Sequence, residues 1–101
     1  MAVGPLSQQE IEDGLAGLPG WSVRDGRLSR TYRLGSHVAA AALVMHIAAV
    51  QDALDHHSEL TLGYRSVSLG VHTHSAGGAL TAKDFALARE VEDIAPSHGA
   101  H

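Results

Sequence analysis

The sequence predicts an α+β domain, helices combined with an antiparallel sheet in the order α-β-β-α-β-β-α, and three observations carry that prediction. Apolar residues recur at three-to-four spacing in three stretches, they alternate with period two in stretches between them, and glycine-rich or proline-containing breaks fall where the period changes. With 101 residues, 45% hydrophobic and 18% charged, the chain has the length and composition of one globular domain with one core.

The first helix opens on Ser7 with Glu10 three residues on, a capping-box pattern. Ile11, Leu15 and Leu18 keep helical spacing until Gly17, Pro19 and Gly20 end the run. "WSVRDGRLSRTYRL" then sets Trp21 and Val23 before Asp25-Gly26, with Leu28, Arg30, Tyr32 and Leu34 alternating after it. This is the signature of a hairpin with a two-residue turn. Gly35-Ser36 supplies a break and an N-cap for a long second helix ending near Asp55, whose apolar stripe reads as Val38, Ala41, Ala42, Met45, Ala49 and Asp52.

From Gly63 to His74 the period is two again, which predicts one long strand or two joined by a bend at Gly70. Val67, Leu69, Val71 and Thr73 share one face, and Tyr64, Ser66, Ser68, Gly70, His72 and His74 the other. After "SAGGAL", Thr81 with Asp84 repeats the capping box, and Leu87, Ala88, Val91 and Ile94 or Ala95 form the stripe of a third helix that ends at Pro96. Residues 1–96 are thus read as the domain and 97–101, "SHGAH", as a disordered tail.

Composition removes several classes of function. A formal charge of -4 without a basic run provides no footprint for a phosphate backbone, so no direct nucleic-acid binding is expected. The absence of cysteine excludes disulfides, thiolate metal sites and a catalytic thiol, and fits a cytoplasmic protein. The N-terminus lacks the charge and apolar run of a signal peptide, and the apolar stretch 38–50 is too short to span a bilayer, so no membrane association is expected. That same stretch offers more Ala and Val surface than a small sheet can cover, and points to a homo-oligomer.

Four of the eight histidines lie between Asp52 and Asp84: His56 and His57 at a helix end, His72 and His74 two apart on one strand face. Imidazoles exchange protons near neutrality and also bind metals, so the cluster suggests acid–base chemistry or a metal site. His46, inside the Ala-rich helix, reads as a core or interface residue, His37 as surface, and His98 and His101 as solvated tail. Asp52, one turn before His56, is placed to orient that ring, and Asp84 is accounted for as a helix-capping acid.

Asp-x-x-x-His-His-Ser at 52–58, then Tyr64, His74 and Asp84, together with "PGW" at 19–21, resembles the pterin-4a-carbinolamine dehydratase family at its own spacings. The resemblance implies a four-stranded antiparallel sheet with three helices packed on one face, with "ELTLG" as the fourth strand. It implies loss of water from a 4a-hydroxytetrahydropterin in pterin cofactor recycling, without a metal or other cofactor. On this reading His56, His57 and His74 are catalytic, and Asp55, His72, Thr73 and Ser75 line the substrate with them. Asp52, Tyr64 and Asp84 support the site. Homodimers or homotetramers are implied as well, and the family includes members that act as coactivators or in assembly, so a non-catalytic binding module of the same fold and a His-ligated metal site are the alternatives. One departure stands out: the family's usual Pro-Glu-Trp after the histidine pair is Ser58-Glu59-Leu60 here, which would remove an aromatic wall.

Overall fold

A computed structural model describes residues 4–101; residues 1–3, part of the predicted domain, lie outside the described residues. The order is α1 (Gln8–Ala16), β1 (Ser22–Arg24), β2 (Arg27–Arg33), α2 (His37–Leu54), β3 (Glu59–Leu62), β4 (Ser66–Val71) and α3 (Ala82–Ile94). The strands form one antiparallel sheet in the order β1-β2-β4-β3. Ser7 and Glu10 close a full capping box on α1. Asp25 and Gly26, with φ of 52° and 75°, make the two-residue hairpin turn whose twist matches that of the strands it joins.

Leu28 and Tyr32 of β2 and Val67, Leu69 and Val71 of β4 point from one sheet face into the core, where Leu43 and Ile47 of α2 and Leu87 and Val91 of α3 meet them. Full burial of each such Leu, Ile or Val stabilises by about 1.5–3 kcal/mol. The opposite face is polar, with Thr31 and Ser68 hydrogen-bonded across the strands at 2.9 Å. At the edge of the core Tyr32 O–H and Trp21 N–H both donate to Glu92. Burial first, and then the Glu92 carboxylate, push the Tyr32 pKa well above the usual tyrosine range.

Four expectations change. The strand read over 63–74 is shorter: "ELTL" forms β3, the fourth strand the resemblance implies, but residues 63–65 turn the chain and β4 ends at Val71, with Gly70 paired in register to Ser29 and Glu59 rather than bending. Gly63 permits that turn because a Cβ there would stand 2.3 Å from Ser66 Oγ.

The second change concerns α2, which buries Ala40, Leu43, Ile47 and Gln51, while Val38 and Met45 are 77% and 74% exposed. Its face was misassigned because the helix is apolar nearly all round, so periodicity had little contrast to report. At 18 residues α2 does reach the length and apolarity of a membrane span, but its inner side is packed in the core.

Third, of the two places read for His46 the core is ruled out: it is exposed on α2, with Nδ1 2.8 Å from His98 Nε2. Fourth, the segment read as a disordered tail is pinned down. Residues Ala95–His98 form a 3-10 turn, and the backbone groups of Arg33 and His101 exchange hydrogen bonds of 2.8 and 3.1 Å. Composition marked 97–101 as polar, but the partner on β2 is supplied only by the fold.

Candidate active site

Three chain segments meet at one end of the sheet. α2 stops at Asp55, whose left-handed conformation (φ 51°, ψ 44°) turns the chain sharply. The His56 N–H donates back to the Gln51 carbonyl at 3.0 Å. Gln51 is buried, and its side-chain oxygen accepts the Ser58 N–H at 3.0 Å and the Ser58 hydroxyl. The two histidines are therefore held in a short span anchored at both ends to the last turn of α2.

Next comes the segment after β4. Thr73 N–H donates to Ala79 O, and Gly78 N–H returns to Thr73 O, both at 3.1 Å. Between them a 3-10 turn over His74–Ala76 and positive φ at Gly77 and Gly78 reverse the chain. Strict alternation would have left His74 facing away from α2; ending the strand early removes that conflict.

The N-terminus of α3 completes the site. Asp84 is fully buried, and its Oδ2 accepts from Thr81 N–H at 2.8 Å and from the Thr73 hydroxyl at 2.9 Å. Its Oδ1 lies 2.6 Å from His56 Nε2. With Asp84 as the acceptor of this hydrogen bond, Nε2 is the donor and Nδ1 is the ring nitrogen left free of it. Asp84 is thus more than a helix cap: it ties together the histidine span, the Thr73 turn and α3. His57 Nε2 is 2.9 Å from Asp52 Oδ1, and both side chains are largely exposed. Asp52 orients His57, not His56 as the helix spacing suggested.

A cavity of about 400 Å³ opens here, lined by Asp55, His56, His57, His72, Thr73, His74, Ser75 and Lys83. Of these, only Lys83 went unread in the sequence. It adjoins Asp84 and is the chain's single lysine, but a lone lysine beside a cap carries no pattern of its own. Tyr64 is not brought in. It sits 76% exposed on the β3–β4 turn at the far end of that hairpin, stacked on His37 with ring centroids 5.9 Å apart. Leu60 packs against the edge of the core and is not among the residues that line the cavity. Among the described residues, no three His, Asp or Glu side chains are grouped to hold a metal ion. His56 and His57 are each turned to a carboxylate of their own instead.

Fold and cavity define the class: an α+β domain with an imidazole-lined pocket where a helix end, a strand end and a helix start converge. The family model described as Pterin 4 alpha carbinolamine dehydratase matches residues 4–94, and the chain belongs to that family of hydro-lyases. It is 67% identical over 101 residues, all of both chains, to a Streptomyces coelicolor protein named "Putative pterin-4-alpha-carbinolamine dehydratase". A Streptomyces avermitilis protein of the same name is 70% identical over 100 residues, 99% of each chain. Among solved structures, a transcriptional coactivator/pterin dehydratase from Brucella melitensis matches with a TM-score of 0.82 at 29% identity, covering 89% of this chain and 97% of that one.

Proposed function

We propose that the protein dehydrates a 4a-hydroxytetrahydropterin to the quinonoid dihydropterin by histidine acid–base catalysis, as a step in pterin cofactor recycling in the cytoplasm. The observation that carries this reading is the His56–Asp84 pair at a cavity lined by three further imidazoles. The cavity volume lies within the roughly 300–1,000 Å³ usual for small-molecule sites. In the reaction the C4a–O bond breaks, the proton on N5 leaves, and a C4a=N5 double bond forms; water is the only other product and no redox change occurs. One group must protonate the departing hydroxyl and another must accept the N5 proton.

His56 suits the accepting role, because Asp84 fixes its tautomer and stabilises the imidazolium once formed. His57 and His74, both open to solvent, suit delivery of the proton and positioning of the hydroxyl. Asp55, His72, Thr73 and Ser75 border the ring. Freshly generated 4a-hydroxytetrahydropterin should be consumed faster with protein than without, before and after chelator treatment. No acceleration would leave the non-catalytic module as the better reading, and activity lost on removing a bound metal would favour a metal site.

The outer face of α2 supports self-association into a dimer or tetramer, since its exposed Val38 and Met45 flank a stripe of alanines. Light scattering at micromolar concentration should report a mass above that of one chain; a monomer at every concentration would remove this proposal.

A further inference from the structure

Beside the histidine cavity lies a second, smaller one of about 90 Å³, lined by Leu54, His56, Lys83 and Ala86. His56 and Lys83 border both spaces, so the small cavity is an annex of the large one. Its walls are unlike those of the main cavity: Leu54 and Ala86 make it apolar, and Lys83 is its one cationic side chain besides the imidazole. Among the described residues, Lys83 forms no ion pair and its ammonium makes no hydrogen bond; only its backbone N–H is engaged, at 3.2 Å from Thr81 Oγ1. All other cationic side chains except the histidines are arginines, and none of them lines either cavity. Asp55, the carboxylate that would repel an anion, borders the main cavity but not the annex.

Resting on the dehydratase reading above, we infer that the annex receives the side chain of the pterin substrate and that Lys83 selects side chains ending in an anionic group, a phosphate monoester or a carboxylate. An annex this small cannot take a fused bicyclic ring, whereas a short carbon chain fits between Leu54 and Ala86 and delivers its end to the ammonium. An exposed lysine is a flexible point charge rather than a rigid fork, so it sets preference without fixing one geometry. Because the pair is solvent-exposed, the gain in specificity is modest and sensitive to salt.

The test compares two 4a-hydroxytetrahydropterins that differ only at the end of the side chain: a trihydroxypropyl substituent and its terminal phosphate monoester. At low salt the wild-type protein should show a kcat/KM ratio of roughly fivefold or more in favour of the phosphate, declining as salt rises. Lys83→Met should bring that ratio to about one, and Lys83→Arg should retain most of it. A ratio near one in the wild type, or one that Lys83→Met leaves in place, overturns the inference. If the neutral substrate is dehydrated without any preference, only the inference fails. Should neither substrate be dehydrated, the dehydratase reading falls and takes the inference with it.

Discussion

His57→Ala and His74→Ala are each expected to lower the dehydration rate by roughly 10² to 10⁴, the usual loss when a positioned acid or base is removed. Neither change should unfold the domain. His74 is exposed on a 3-10 turn, and His57 is exposed with its side chain hydrogen-bonded to the exposed Asp52, so little packing is lost. The wild-type rate should be bell-shaped in pH, because one imidazole must be protonated while another is free. His46→Ala is the control: its ring lies on the surface against His98, neither residue lines either cavity, and its loss should leave the rate intact. Steady-state kinetics with circular dichroism on the three variants decides the matter. Full activity in both His57→Ala and His74→Ala would show that the histidine cluster is not the catalytic centre.

Asp84→Ala should damage stability and catalysis together. The substitution strips the capping-box acceptor from Thr81 N–H, the partner of the buried Thr73 hydroxyl and the anchor of His56. Loss of a cap and of buried hydrogen bonds costs roughly 2–4 kcal/mol together. For a domain of this size that lowers the thermal midpoint by roughly 10–25 °C. Asp84→Asn separates the two roles, because an amide oxygen can still accept one hydrogen bond but carries no charge to stabilise an imidazolium. It should stay folded at 25 °C with a rate lowered by about tenfold or more. An Asn variant of wild-type rate would reduce Asp84 to the helix cap its position in the sequence already explains.

Much of the architecture could be read without coordinates because its signals are local. Capping boxes at Ser7–Glu10 and Thr81–Asp84 span one helical turn, and the Asp25-Gly26 hairpin is decided by two residues whose conformation the turn itself demands. The histidine site was legible in part in the same way: the spacing singled out His56, His57, His72 and His74, and the family resemblance added Asp55, Thr73 and Ser75, which together are seven of the eight residues that line the cavity. Where local signals were weak, the reading slipped. α2 is apolar on nearly every side, so its stripe could not identify the buried face, and the alternation of residues runs on from Val71 through Thr73 and His74, so it could not show where β4 ends.

The sequence by itself determined the element order, the turn chemistry and the membership of the histidine cluster. Tertiary structure alone decided which carboxylate serves which imidazole. Helical spacing offered Asp52 to His56, yet the left-handed turn at Asp55 swung His57 to Asp52 and His56 to Asp84, 28 positions away. The fold alone also set Lys83 on the rim of two cavities, left Tyr64 at the far end of its hairpin, and paired His101 with Arg33. The physical reason is common to all four. Periodicity and capping are properties of a few consecutive residues, whereas the direction of a side chain at a site depends on turns that reorient whole segments and on partners brought close only when the core is packed.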